Sequence, residues 1–211
     1  ARMPGTFVTF EGGEGTGKST QLKLLAATLG GRGIPFIQTR EPGGTPEAEA
    51  LRSLLVNGDP GRWTAEAEAL LNYAARSSHL EKIIRPALAA GKFVLCDRFS
   101  DSTKAYQGYA GGCDMKLLEA LETVIVGSTR PALTLVLDID PAKGLERAKA
   151  RADGSEDRYE RKGLAFHQRL RAGFLRIAEA EPKRCKVIDT SGSVDDTKAS
   201  IQATVEPLLH G

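Results

Sequence analysis

The sequence predicts an α/β protein: a parallel five-stranded sheet flanked by helices, with one charge-dense segment late in the chain. Three observations predict it. Short continuous apolar runs alternate with longer segments of helical periodicity. Strands buried on both faces by crossover helices carry that pattern. A glycine-rich segment joins the first apolar run to the first helical segment. Late in the chain, one stretch is dense in charge and poor in apolar residues.

The elements follow in order. Residues 6–10 (TFVTF) read as the first strand, and 18–29 as a helix ended by Gly30 and Gly31. Residues 34–39 form the second strand. Residues 46–55 and 65–90 read as helices, split by the turn Asn57-Gly58-Asp59-Pro60-Gly61. Residues 93–96 (FVLC) are a buried strand between Gly91 and Asp97. Residues 115–126 read as a helix and 133–137 (LTLVL) as the fourth strand. Helices at 142–151 and 163–180 precede a short fifth strand at 186–188 and a last helix at 194–209.

Composition narrows the class. The 211 residues suit one domain, 1–211. A charged fraction of 27% is that of a folded domain rather than a disordered chain. No apolar run reaches the ~18 residues of a membrane helix. The first residues lack the apolar core of a secretory leader. Cys96, Cys113 and Cys185 are scattered and odd in number, which suits a reducing compartment. A cytoplasmic protein without membrane contact is expected. The net charge of +2 offers no general attraction for a nucleic-acid polymer. Glycine is in excess, 23 of 211 residues, and its placement matters more than its number.

Residues 12–19, Gly-Gly-Glu-Gly-Thr-Gly-Lys-Ser, match G-x-x-x-x-G-K-[ST] between a strand and a helix. Backbone N–H groups wrap a polyphosphate only where side chains are absent. Gly12, Gly13, Gly15 and Gly17 supply that freedom, with Glu14 and Thr16 between them. The helix dipole beginning near Lys18 points at the phosphates. Lys18 reaches the β and γ groups, and Ser19, followed by Thr20, offers a hydroxyl to Mg²⁺. ATP and Mg²⁺ are the expected cofactors. The guanine-reading Asn-Lys-x-Asp is missing, as is a Leu-Ser-Gly-Gly transporter signature. A short chain of this kind predicts a P-loop kinase fold.

Further clusters follow strands, where open α/β sheets bind ligands. They are T-R-E-P-G-G-T at 39–45 and D-R-F at 97–99, running into S-T-K-A-Y-Q-G at 102–108. Arg40 and Arg98 can grip a second phosphate. Asp97 can hold Mg²⁺ directly or through water. Asp97 and Arg98 can equally pair with each other, and Arg76 can be a plain surface residue.

With F-E-G-G-E-G-T-G-K-S-T, A-A-R at 74–76 and E-D-R-Y-E at 156–160, these motifs resemble those of the bacterial thymidylate kinases, from Gly5 to the C-terminus. The resemblance implies transfer of a phosphoryl group from MgATP to dTMP, and a homodimer. It places Glu14 near the deoxyribose 3′-hydroxyl and Arg98 on the acceptor phosphate, beside Arg40 and Glu41. It places Arg76 on the thymine edge, and Ser102, Thr103, Tyr106 and Gln107 around base and sugar. Tyr106 then stands where a ribose 2′-hydroxyl would clash. The family often has Phe four residues before the arginine, stacking on thymine. Here that position is Asn72, with Tyr73 adjacent and included in the expected acceptor set. An amide does not supply aromatic stacking worth ~1–3 kcal/mol per base.

The resemblance then makes the charged stretch, at about 147–162 within the single domain, the family's small arginine-rich lid over ATP. The P-loop interior carries no basic residue, so the lid must bring the positive charge. Arg151 and Arg158 are the expected catalytic lid residues beside Lys18 and Arg98. Arg147 lies on the same helix face as Arg151 and joins the ATP set. Pairing with Glu146 and Glu156 is the plainer alternative. The acceptor is already ionised at pH 7, its second pKa being near ~6, so no general base is required. The three histidines are expected to be structural or exposed. The alternatives are a kinase for another nucleoside monophosphate or a deoxynucleoside, and a non-catalytic ATP-binding module.

Overall fold

In the computed structural model, which describes residues 5–151 and 156–210, one sheet organises the chain. Its strands are β1 (Thr6–Glu11), β2 (Phe36–Arg40), β3 (Phe93–Asp97), β4 (Leu133–Asp138) and β5 (Cys185–Asp189). All pair in parallel, in the order β2-β3-β1-β4-β5. The central strands are the continuous apolar runs. Val8, Val94, Leu95 and Leu135 are fully buried, whereas edge strands β2 and β5 are half open to solvent. Burial on both faces removes the need for alternation.

The helices are α1 (Lys18–Gly31), α2 (Pro46–Val56), α3 (Ala65–His79), α4 (Arg85–Ala89), α5 (Ser100–Thr103), α6 (Met115–Leu121), α7 (Pro141–Arg151), α8 (Leu164–Ala180) and α9 (Val194–Val205). On one face of the sheet, Leu22, Leu25 and Leu29 of α1 and Ile201 and Val205 of α9 pack on Val8 and Phe10. On the other face, Phe7, Val94 and Cys96 pack with Tyr73, Leu80, Ile84 and Phe99. A third cluster joins Val136 to Tyr106, Phe166, Leu170 and Phe174.

Capping explains the helix starts. Thr45 and Thr64 accept from Ala48 N and Ala67 N at the heads of α2 and α3. Ser193 and Asp196 form a capping box on α9. The helix expected over residues 65–90 widens into a π-turn at Leu80–Ile84. Pro86 has no N–H to close an ordinary turn there. The unpredicted element is the helical segment α5 with its π-helical continuation Lys104–Ala110. Strand β2 lies one to two residues later than expected, after Pro35. Lid residues 152–155 lie outside the described residues.

Candidate active site

The P-loop leaves β1 and turns into α1 with Gly17 at the cap, φ 86°. Gly15, at φ 71°, packs on α7: a Cβ there would overlap the Gly144 carbonyl. Lys18 folds over the loop, its Nζ donating to Gly13 O (2.9 Å) and Thr16 Oγ1 (3.4 Å). Burial and the neighbouring Arg98 charge push its ammonium down to about 8, against Asp97 and Glu14. Lys18, Ser19, Asp97, Arg98 and Arg151 line one opening. Beside it, Gly17, Thr20, Arg147, Arg151 and Thr190 line a second opening toward α9. There Arg147 Nη1 donates to Thr190 O (3.0 Å).

A third cavity, open to solvent, lies between α2, α3 and the segment after β3. Its wall includes Arg76, Arg98, Phe99, Ser102, Thr103 and Tyr106, with Glu41, Asn72 and Gln107. Arg98 occupies the left-handed region at φ 68°. Its backbone N–H donates to Phe10 O (2.9 Å), one step past the β1–β3 ladder. Its Nη1 donates to Gly12 O (2.8 Å) and Ser102 Oγ (3.1 Å), and its Nη2 to Glu14 Oε1 (3.1 Å). Burial raises the Glu14 carboxyl, but Arg98, Lys18 and the Tyr106 hydroxyl outweigh it and hold Glu14 at about 2.

Glu11, which the sequence reading missed, fixes this loop. Its carboxyl accepts from Phe99 N (2.7 Å), Ser102 N (3.3 Å) and Ser102 Oγ. The signal was its place directly ahead of the P-loop. Arg76 is buried; its Nε donates to Glu41 Oε2 (2.7 Å) and its Nη2 to Thr103 Oγ1 (3.0 Å). Arg52, also missed, lines both the acceptor cavity and the Lys18 opening. It pairs with Glu156 at 2.9 Å and donates to Pro42 O (3.0 Å). Nothing in its sequence neighbourhood marks it.

Three expected residues are not brought to the clefts. Arg158 is fully buried, so it does not reach toward ATP. Its guanidinium donates to Glu68 Oε1 (2.6 Å) and to the carbonyls of Leu55, Asp59 and Pro60. Arg40 turns outward to Glu49 (2.9 Å), away from the cavity wall. Tyr73 lies behind Arg76, its ring 4.5 Å from the guanidinium, and donates to Glu122 Oε2 (2.9 Å). Asn72 lines the cavity instead, its Nδ2 tied to Glu68 O (2.9 Å). Gln107 is reached, but its amide nitrogen donates to Glu68 Oε2 (2.9 Å).

The geometry is two clefts, one formed by the adjoining pair of openings over the P-loop and the other by the cavity, with Arg52 and Arg98 on the wall between the cavity and the Lys18 opening. A phosphate loop serves one and a cavity with polar side chains in its wall serves the other. Comparisons with known proteins agree with it. The family model described as thymidylate kinase matches residues 10–201. The thymidylate kinase of Caulobacter vibrioides is 55% identical over 205 residues, 97% of this chain and 98% of the relative. That of Ruegeria pomeroyi is 50% identical over 206 residues, 98% and 96% of the two chains. A crystal structure of the thymidylate kinase from Ehrlichia chaffeensis superposes with a TM-score of 0.78 at 34% identity, covering 96% of this chain and all of that one. Phosphate loop, strand order, acceptor cavity and relatives point the same way, and the chain belongs to the thymidylate kinase family.

Proposed function

We propose that the chain transfers the γ-phosphoryl group of ATP to dTMP, giving dTDP and ADP. The observation that carries this is that Arg98 and Glu14 line both the acceptor cavity and the opening over Lys18. One pair of side chains therefore faces both nucleotides. In this reading Gly12–Thr20 cradle the ATP phosphates, and Arg147 and Arg151 flank the adenosine side. Arg98 and Ser102 hold the acceptor phosphate, Arg76 and Thr103 the base edge, and Glu14 with Tyr106 the sugar. Positioning two anions and cancelling their charge is the main catalytic task of phosphoryl transfer. Lys18, Arg98 and Arg151 supply the cations.

Mg²⁺ fits the donor set. Ser19 and Asp97 offer hard oxygen ligands at the same opening as Lys18. Two protein oxygens suit an ion that keeps several waters and binds phosphates. When bound, it would neutralise phosphate charge. A single domain carrying its lid, a cytoplasmic location and a homodimer complete the reading. The three buried free cysteines support the location. The exposed Leu70 and Val124, on α3 and the turn after α6, support the dimer.

Steady-state rates with dTMP, dUMP, dCMP, dGMP and thymidine test it. The highest kcat/KM is expected for dTMP, and thymidine should fail for want of a group to meet Arg98. Preference for thymidine or dCMP would overturn the assignment. Arg98→Ala should raise KM for the monophosphate more than for ATP; the reverse would move Arg98 to the donor side.

A further inference from the structure

His79 is the last residue of α3 and is fully buried. Its Nδ1 lies 2.8 Å from Glu41 Oε1, and its Nε2 lies 2.6 Å from Thr39 Oγ1. An ionised carboxylate only accepts, so Nδ1 carries the proton and donates. The ring's Cδ2 edge lies against Gly44, at φ 90°, where a Cβ would overlap the imidazole. Thr39, Glu41 and Gly44 thus enclose one ring. Three of the seven residues in T-R-E-P-G-G-T are shaped around a side chain from another element.

The other oxygen of Glu41 leads to the acceptor cavity. Oε2 accepts from Arg76 Nε at 2.7 Å, one helical turn before His79. Arg76 Nη2 is taken by Thr103. Nη1 is buried and has no partner among the described residues, and Arg76 lines the cavity. A buried unpaired donor in a cavity wall marks where a ligand acceptor belongs. A guanidinium offers donors only. It suits the 4-carbonyl of thymine and opposes the 4-amino group of cytosine.

We infer that His79 is a positioning residue for base recognition, holding Glu41 so that Glu41 aims Arg76. The inference rests on the proposed dTMP kinase activity. Without the imidazole N–H, Glu41 Oε1 is a buried acceptor with nothing to fix it. The carboxylate can then rotate, and the Arg76 donor loses its registration with the base. His79 touches no substrate itself.

The test compares wild type with His79→Leu, His79→Asn and Thr39→Val. Leu fills the site without a donor; Asn restores an N–H near the Nδ1 position. Thr39→Val removes only the hydroxyl that fixes the ring. For His79→Leu, KM for dTMP should rise about tenfold and the dTMP-over-dCMP ratio of kcat/KM should fall about tenfold, the worth of one buried hydrogen bond. KM for ATP and kcat should stay within about threefold of wild type, a range below one such bond. His79→Asn should recover most of both losses, and Thr39→Val should show a smaller loss in the same direction. Unchanged discrimination in the folded variants would overturn the inference. So would ATP and dTMP constants moving together with a lower Tm. If His79→Leu does not fold, Thr39→Val and His79→Asn decide by the same ratio. A wild-type protein without dTMP turnover would instead sink the proposed function, which keeps the two failures apart.

Discussion

Tyr106 Oη donates to Glu14 Oε1 at 2.5 Å, and the same oxygen accepts from Arg98 Nη2 at 3.1 Å. A P-loop side chain, a strand-end arginine and a helix tyrosine therefore act as one unit. Tyr106 Oη in turn accepts from Arg98 Nη2 (2.7 Å), and the guanidinium carbon lies 4.8 Å from the centre of the Tyr106 ring. Tyr106→Phe keeps the ring and removes the hydroxyl. A hydrogen bond to a charged group is worth about 1.5–3 kcal/mol, so kcat/KM for dTMP should fall about 10–100-fold. KM for ATP should change far less. A variant indistinguishable from wild type would show that the Glu14–Arg98 pair holds itself.

Arg158 and Arg151 should separate cleanly. Arg158 is bound to Glu68 and three carbonyls, tying the C-terminal part of the lid to α2 and the α2–α3 turn. Arg158→Ala leaves the Glu68 carboxylate buried and short of a partner. The expected cost is about 3–5 kcal/mol of folding stability, read by denaturant unfolding. Arg151 is exposed at the opening over Lys18. Arg151→Ala should leave stability unchanged and lower kcat. The opposite pattern would return Arg158 to the reaction.

Lys18→Ala should cut kcat by at least ~10²-fold with a near-normal Tm. Near-normal turnover would sink the P-loop assignment. In the free enzyme Lys18 titrates near 8, lowered chiefly by burial. Its charge is lost as pH rises through that value, so kcat/KM for ATP should decline above about pH 8. A profile flat well past that pH would mean the ammonium is not the group being read.

Burial raises the Glu11 carboxyl to about 8; Asp101 adds to this, while Ser102, Arg98 and the Phe99 N–H oppose it. The fold therefore holds a proton that the unfolded chain releases near 4.5. The resulting stability is complete below the unfolded value and is lost as pH rises through about 8. Glu11→Gln imitates the protonated acid and keeps an acceptor for Phe99 N and Ser102 N. Its unfolding free energy should fall less than wild type's between about pH 5 and about pH 8. Equal slopes would show Glu11 ionised throughout.

What was legible in the sequence was local. The phosphate loop is eight consecutive residues between a strand and a helix, so chain connectivity alone assembles it. The three central strands were legible as unbroken apolar runs, and the two edge strands as short runs between helical segments. The segment Ser100–Ala110 was not, because it opens on the polar residues Ser-Asp-Ser-Thr and continues at π rather than α periodicity. The site's outer parts were illegible for a different reason. Arg158 meets Glu68 across 90 positions, and His79 meets Glu41 across 38. Arg40 stands in a motif and Arg52 in none, which pointed to the wrong one of the two. Only the packing of α2 shows that Arg40 faces Glu49 while Arg52 faces the clefts.

The strand order has one more consequence. The P-loop issues from β1 and Arg98 from β3, nearest neighbours about 4.8 Å apart. The hydrogen bond from Arg98 N to Phe10 O extends that spacing into the catalytic loop. The gap that a phosphoryl group must cross is thus gauged by the backbone ladder. The lid and the base cavity can drift in sequence without resetting it. The fold separates reach, which it fixes, from taste, which it leaves to the loops.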